Sequence, residues 1–202
     1  MAFSLTNYLK NYFKKKKPFT IVTDILFIVF IILLIIPGTR KEVSSRLIRL
    51  TALPPSELSS ESQFKISEEA RKWQLYDMEG NMVTLNELMD EPVFLNFWAT
   101  WCPPCIGELP GIQDLYGTYK DKVRFVLVTN EQPGKVNKFA AEHDYGGLPF
   151  YIGRGTPHDF YSESIPTTFV IAKDGTVIVS KKGAARWNSG RMEKILDELL
   201  RK

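Results

Sequence analysis

Two cysteines are the residues of this sequence best placed to do chemistry. Cys102 and Cys105 are the only cysteines among 202 residues, and two prolines separate them in the stretch FWATWCPPCIGELP, residues 97–110. A disulfide between residues three apart closes a very small loop, and in the chain-entropy description stabilisation grows with loop length. A purely structural bridge would therefore contribute little, which leaves a metal site or a working dithiol.

The metal interpretation lacks ligands. Structural zinc sites commonly use four cysteine or histidine ligands, and the only histidines here, His143 and His158, lie far from the cysteines in sequence. Copper held by the two thiolates stays open as an alternative. A peroxidase of the peroxiredoxin type is disfavoured, because it needs a threonine three residues before its cysteine and Ala99 has that position relative to Cys102. We expect no resident metal and no cofactor.

The local pattern around the cysteines favours a dithiol. The apolar run PVFLNFW, residues 92–98, is typical of a strand buried on both faces. Apolar residues then recur at helical spacing, and the two prolines stand where a first helical turn tolerates them. The sulfur of Cys102 would lie at the helix N-terminus, where free N–H groups and the helix dipole stabilise a thiolate. Cys105, one turn further on, is suited to resolve the mixed disulfide that Cys102 forms.

Two side chains near the cysteines are further candidates. Glu108 lies three residues after Cys105, a spacing that brings side chains together on a helix, so it could exchange a proton with the resolving thiol. The alternative is a solvated helix glutamate. Trp101, beside Cys102, is a candidate for a partly exposed docking surface.

The elements that must position these residues begin at about residue 66. Two β-like runs flank Glu79-Gly80-Asn81 and indicate a hairpin. The run at 123–130 predicts a second buried strand, and helical spacing marks the segments after Cys102, around 136–143 and at 192–199. A second hairpin is predicted at 167–183. This order indicates an α/β domain with a central sheet of mixed direction.

Basic residues are concentrated at the N-terminus. The formal net charge is +3, but residues 1–50 hold nine of the 26 Lys and Arg and two of the 23 Asp and Glu, so the remainder is slightly acidic. That distribution gives no support to nucleic-acid binding.

A long apolar segment follows the run Lys14 to Lys17. From Ile25 to Ile36 it contains no polar residue, and its length is at the short end of what crosses about 30 Å of hydrocarbon. We predict one transmembrane helix at 19–37, because no small-residue cleavage pattern follows it. The dense lysines predict that residues 1–18 are cytoplasmic and that the rest is extracytoplasmic.

The segment 38–65 is polar and serine-rich and contains Pro54-Pro55, so we predict a linker there. A short basic amphipathic helix around Val43, Leu47 and Leu50 could lie on the membrane surface. The α/β domain then occupies residues 66–202.

The motifs resemble a known family. FWATWCPPC with Glu108 and Pro110, followed by Ile165-Pro166-Thr167-Thr168-Phe169 and Lys173-Asp174-Gly175, is similar to the membrane-anchored thioredoxin-like reductases of the TlpA and ResA group. The resemblance covers roughly residues 66–202. It implies a thioredoxin fold with an added N-terminal β-hairpin, and a thiol-disulfide oxidoreductase anchored by a single pass in the bacterial cytoplasmic membrane.

The same resemblance implies roles for other residues and partners. Pro166 is expected to be cis and to face the cysteines, and Ile165 to offer backbone hydrogen bonds to a bound substrate segment. Asn96 stands where cytoplasmic thioredoxins carry a buried aspartate, which leaves Glu108 as the nearest proton acceptor. The implied substrates are disulfides of envelope proteins, apocytochrome c among them, and the implied electron donor is a membrane thiol-electron carrier.

Overall fold

The structure is a computed structural model that describes residues 17–35, 45, 46, 48 and 51–201. The chain divides into two compact units, Met1–Val43 and Ser44–Lys202. In the first unit, helix α1 spans Pro18–Ile35. Within the described residues, no helix combines the length and the apolar character needed to cross a membrane. The predicted span at 19–37 therefore stays a prediction, and most of the predicted cytoplasmic segment 1–18 lies outside the described residues.

The second unit is built from one sheet with helices on its faces. Its strands are β1 (Phe64–Lys65), β2 (Gln74–Tyr76), β3 (Met82–Thr84), β4 (Val93–Phe97), β5 (Arg124–Thr129), β6 (Phe150–Gly153), β7 (Thr167–Ile171) and β8 (Thr176–Lys182). Its α-helices are α2 (Glu68–Arg71), α3 (Pro103–Tyr119), α4 (Pro133–Glu142) and α5 (Gly190–Leu200), with 3-10 turns at Leu85–Leu88 and His158–Phe160.

The eight strands form a single mixed sheet in the order β1-β8-β7-β4-β5-β6-β2-β3. The central pairs β4–β5 and β5–β6 are parallel, whereas β7 runs antiparallel to β4. Because of that antiparallel pairing, Phe97 at the end of β4 lies opposite Thr167 at the start of β7. The loop that carries the cysteines therefore begins beside Pro166.

Strands β2 and β3 pair antiparallel, with Leu75 opposite Val83, and β2 adds to the sheet through β6. A tight turn joins the two strands: the Asp77 carboxylate accepts the backbone N–H groups of Glu79 and Asn81, and Gly80 has φ +90°. Glycine reaches this conformation without the steric cost that a Cβ adds.

The sheet separates two hydrophobic cores, because successive side chains of a strand point to opposite faces. Phe94 packs into the core that contains the cysteine helix α3, where Trp187 meets its ring edge-on at 4.9 Å. Val93 and Leu95 face the second core, which holds Trp73 and Phe160. The central strand β4 is thus buried on both sides, as its continuous apolar run predicts.

Part of the segment that was predicted to be a linker is held against the second unit. The compact second unit begins at Ser44, so much of the segment 38–65 belongs to it. Leu58 donates its backbone N–H to Ile178 at 2.8 Å, Pro55 is buried, and β1 pairs with β8. The serine-rich composition indicated solvation, whereas backbone hydrogen bonds and a few apolar contacts hold this stretch against the domain. Val43, Leu47 and Leu50 lie outside the described residues.

One glycine of the sheet leaves no room for a side chain. A Cβ on Gly153 would lie 2.6 Å from a methyl carbon of Val128 and 2.7 Å from the Trp73 ring. We expect Gly153→Ala to lower the free energy of unfolding by about 1–3 kcal/mol, since a filled core must shift to admit the methyl group. Urea unfolding measures this loss. Gly147→Ala, where nothing lies within 4 Å, is the matched control and should show no comparable loss.

Candidate active site

The two cysteines form a disulfide at the start of helix α3, with their Cα atoms 5.3 Å apart. Cys102 is the N-cap residue, and its Sγ accepts the backbone N–H of Cys105 at 3.3 Å. Pro103 and Pro104 fill the first helical positions, where no intrahelical N–H bond is lost. The helix N-terminus thus directs a donor at the sulfur of Cys102, the arrangement that stabilises a thiolate once the disulfide is reduced.

The two cysteines differ only slightly in burial. Cys102 is 3% exposed and Cys105 is fully buried. The order of accessibility agrees with a nucleophile followed by a resolving thiol, but in the disulfide form Cys102 is itself nearly enclosed. Trp101, by contrast, is 56% exposed; its place on a docking surface stays a prediction.

The loop before β7 closes over the disulfide. The Ile165–Pro166 peptide bond is cis, as the family resemblance implies, and Pro166 is buried. The Sγ of Cys102 lies 3.7 Å from the carbonyl oxygen of Ile165. The structure thus brings Trp101, Cys102, Ile165 and Pro166 to one place, although they are some sixty residues apart in sequence.

A cavity of about 510 Å³ opens beside this loop. Trp101 and Ile165 line it, as do Phe97, Trp98, Phe160 and Tyr161. Tyr161 is exposed, so an aromatic side chain stands at the surface on each of the two loops. The cavity suits an apolar or aromatic side chain from a bound segment.

Glu108 is buried rather than solvated, being 3% exposed. Its Oε1 accepts a hydrogen bond from Asn96 Nδ2 at 2.8 Å. Its Oε2 accepts two more, from the Ala185 N–H at 3.1 Å and from Trp187 Nε1 at 2.9 Å. These contacts remove the alternative of a surface glutamate and place a fixed carboxyl on the helix of the two cysteines.

Burial raises the pKa of Glu108 from 4.5 to about 7. Removal from water penalises the charged carboxylate, and this effect exceeds the opposing contributions of Trp187, Asn96, Ala185 and Lys181, which all lower the pKa. A carboxyl that titrates near neutrality can both accept and donate a proton in a reaction at that pH.

Sequence reasoning missed most of the partners of Glu108. Asn96, which donates to Glu108, also donates from Nδ2 to the hydroxyl of Thr168 at 2.8 Å, so Thr168 is an indirect partner of Glu108. Trp187 and Ala185 lie almost eighty residues after Glu108, and only the sheet topology brings them to it. The one signal was Asn96 at the position of a thioredoxin aspartate.

Removing the side-chain amide of Asn96 should change the pKa of Glu108. The Nδ2 donor favours the ionised carboxylate, so Asn96→Ala is expected to raise the pKa of Glu108 further, by about one unit. Carbon-13 NMR of the Glu108 carboxyl reports this directly. An unchanged or lowered midpoint would show that the amide does not stabilise the carboxylate.

A second carboxylate, which is partly buried, holds the loop before the cysteines. Glu131 accepts the Thr100 backbone N–H at 2.6 Å and the Thr100 hydroxyl at 3.0 Å, and forms an ion pair with Lys135. Although burial opposes ionisation, the hydrogen bonds from Lys135 and Thr100 prevail and lower the pKa of Glu131. This contact fixes the backbone two residues before Cys102, and the sequence pattern did not suggest it.

The two cysteine sulfurs are the soft ligands that this site offers to a metal. Among the residues that the structure describes, no three His, Cys, Asp or Glu side chains gather in a way that could hold an ion.

Comparison with known proteins places the chain in a family. Residues 66–180 match the AhpC/TSA family. The thiol-disulfide oxidoreductase ResA of Bacillus cereus is 36% identical over 129 residues, which make up 62% of this chain and 74% of that protein. ResA of Halalkalibacterium halodurans is 33% identical over 140 residues, 67% of this chain and 76% of that protein.

A solved structure supports the same fold. The thiol:disulfide interchange protein DsbE of Chlorobium tepidum has a TM-score of 0.57 and 24% identity, and the match covers 74% of this chain and 99% of that one. The predicted thioredoxin-like α/β fold and the predicted resemblance to ResA are therefore confirmed. The chain belongs to the AhpC/TSA family and is a thioredoxin-like thiol-disulfide oxidoreductase.

Proposed function

We propose that this protein is a membrane-tethered reductase of disulfides in envelope proteins. Cys102 is the nucleophile, Cys105 resolves the intermediate, and Glu108 exchanges the proton. The observation that carries the proposal is the position of the Cys102 sulfur, which caps helix α3 and lies between the Cys105 N–H and the Ile165 carbonyl. A sulfur so placed has a stabilised thiolate and a neighbouring backbone on which an extended segment can bind.

The reaction begins with the reduced chain. The Cys102 thiolate attacks one sulfur of a substrate disulfide, that S–S bond breaks, and the departing substrate thiolate takes a proton. A mixed disulfide now joins Cys102 to the substrate.

The second exchange releases the substrate. Cys105 gives its proton to the Glu108 carboxylate and attacks the Cys102 sulfur. The second substrate thiolate leaves and takes that proton from Glu108, while the first substrate thiolate has taken its proton from solvent. The substrate gains two electrons and two protons, and the chain ends with the Cys102–Cys105 disulfide seen in the structure.

Trp101, Ile165 and Pro166 are the proposed substrate contacts. The exposed Trp101 ring and the cavity beside Ile165 offer apolar surface, and the Ile165 backbone lies next to the reacting sulfur. The backbone of a bound substrate segment has the same hydrogen-bonding groups whatever its sequence. Contacts to the Ile165 backbone can therefore serve several substrates, apocytochrome c among them.

The proposed location rests on the sequence. The apolar stretch Ile25 to Ile36 follows a lysine cluster, which fits a single-pass anchor with the second unit on the extracytoplasmic side. In an oxidising compartment the disulfide must be reduced again for each turnover, so a membrane thiol-electron carrier is the proposed donor. Retention of the full chain in membranes after a carbonate wash tests the anchor, and its release would contradict it.

Reduction of insulin disulfides by the full chain tests the reductase proposal. The expected result is catalysed precipitation of insulin at the expense of dithiothreitol, and no such activity from Cys102→Ala. The alternative is a copper-delivery protein that uses the two thiols without redox turnover. Stoichiometric copper retention by the reduced chain, together with no reduction of insulin, would favour that alternative and contradict the proposal.

A further inference from the structure

The first part of the second unit packs beside the redox site. We call residues 45–58 the N-terminal strap; its described residues are Ser45, Arg46, Ile48 and 51–58. It precedes the stretch that matches the AhpC/TSA family, which begins at residue 66, and the chemistry proposed above does not use it. Two of its contacts fall on segments that lie beside Glu108, helix α3 and the loop 185–187.

The first contact is with helix α3, next to Glu108. A Cβ on Gly107 would lie 2.7 Å from the backbone oxygen of Ser45 and 3.4 Å from a methyl carbon of Ile48. The obstacle at 2.7 Å is backbone, which cannot rotate away as a side chain can. Glycine at this position therefore lets the strap lie directly on the helix.

The second contact is with the loop that supplies two of the donors to Glu108. Arg186 donates its backbone N–H to the Leu53 carbonyl at 3.1 Å. Its neighbours on either side, Ala185 and Trp187, both donate to Glu108 Oε2. One short loop thus bonds to the strap through its middle residue and to the carboxyl through the flanking pair.

The strap is also anchored at its end, where Leu58 donates to Ile178 on β8 and Pro55 is buried. We infer that the strap is a positioning element of the redox site: it holds the 185–187 loop and helix α3 around Glu108 and keeps water from the carboxyl. This inference rests on the proposed role of Glu108 and assigns a function to residues 45–58.

Loosening the strap should change the pKa of Glu108 in one direction. The groups that face the carboxyl are Asn96 on β4, Ala185 and Trp187 on the loop, and the charge of Lys181 on β8. Loss of the loop donors alone would raise the pKa of Glu108, whereas entry of water would lower it. Glu108 is only 3% exposed, and the strap contacts the two segments beside it at Gly107 and Arg186. We therefore expect that loosening the strap admits water and lowers the pKa of Glu108.

Two glycines of helix α3 give a matched experiment in the full chain. Gly107→Ala pushes against the strap, whereas Gly117→Ala adds the same methyl group where nothing lies within 4 Å. We expect Gly107→Ala to move the pH midpoint of thiol-disulfide exchange, and the carbon-13 titration of Glu108, about one unit towards acid. Gly117→Ala should leave both unchanged. Equal midpoints in the two variants would overturn the inference.

A second variant tests whether Gly107→Ala acts through the strap or directly on Cys105, which lies on the same helix. Replacing residues 45–58 with an equally long Gly-Ser sequence removes the contacts from the other side. If both changes act through the strap, the double variant shifts the midpoint no further than either one alone. Shifts that add, or a Gly-Ser variant with an unchanged midpoint, would contradict the inference.

The outcome is distinguishable from failure of the proposed function. A Glu108→Gln chain that keeps the ordinary pH profile would remove the role of Glu108 itself. A profile that depends on Glu108 but is insensitive to the strap would overturn the present inference alone.

Discussion

Replacing Cys105 with alanine is expected to stop the reaction at the mixed disulfide. With the resolving thiol removed, nothing within the chain can displace the substrate from Cys102, so covalent complexes with envelope proteins should accumulate. Cys105 is the resolving group because it lies buried one helical turn after Cys102, within reach of the Cys102 sulfur. Non-reducing gels of the host expressing the full-length variant, followed by mass spectrometry, measure the effect.

Cys102→Ala is the matched control for this experiment. Cys105 is fully buried in the disulfide form, so the variant that retains only this cysteine should trap no partner and should show exchange at the uncatalysed rate. Complexes joined through Cys105, or no complexes in either variant, would contradict the assigned order of attack.

Glu108→Gln is expected to slow the exchange by about a hundredfold or more, since proton transfer by a positioned side chain contributes on that scale. The glutamine keeps a similar shape but cannot take the proton of Cys105. The pH profile should also lose the limb near pH 7, where the pKa of Glu108 lies because of burial. Stopped-flow exchange rates between pH 5 and 9 measure both changes. An unaltered rate and profile would exclude Glu108 from the reaction.

The same substitution should change how stability depends on pH. At low pH Glu108 is protonated in the folded and the unfolded chain, and its burial carries no charge penalty. Between its ordinary pKa of 4.5 and its folded pKa of about 7, the unfolded chain ionises first, so the free energy of unfolding falls with rising pH. The total loss is about 3 kcal/mol and is constant above pH 7. Urea unfolding of the oxidised wild type should show a free energy of unfolding that falls between pH 4.5 and about 7, whereas Glu108→Gln should lack this decrease. An equal pH dependence in the two proteins would contradict the raised pKa of Glu108.

Most of the strands and helices could be predicted because each has a local signal, but no sequence pattern indicated the short elements β1 and α2 or the strand β6. The apolar run of β4 indicated burial on both faces, and the prolines after Cys102 indicated the start of α3. The same local signals placed both cysteines at the helix N-terminus without any knowledge of tertiary structure.

The surroundings of Glu108 could not be predicted in the same way. Helical spacing gives the angular position of Glu108 on α3 but not what packs there, so the residues alone favoured a solvated glutamate. The carboxyl is enclosed by Asn96 from β4 and by Trp187 from the loop after β8. Their approach depends on strand order, which no short sequence pattern encodes.

The strap shows a different limit. Serine and proline content led to the prediction of a linker at residues 38–65, but composition does not reveal backbone hydrogen bonds. The bonds from Arg186 to Leu53 and from Leu58 to Ile178 use main-chain atoms, which every sequence possesses. Such contacts leave almost no trace in residue types.

The measurement that tests the central claim most directly is the reduction potential of the Cys102–Cys105 couple in the full chain, determined in dithiothreitol buffers. A reductase of envelope disulfides should have a potential near that of reducing thioredoxin-like dithiols, about −270 mV. A potential near about −120 mV, typical of a strong dithiol oxidant, would contradict the account, because the chain would then deliver disulfides instead of removing them.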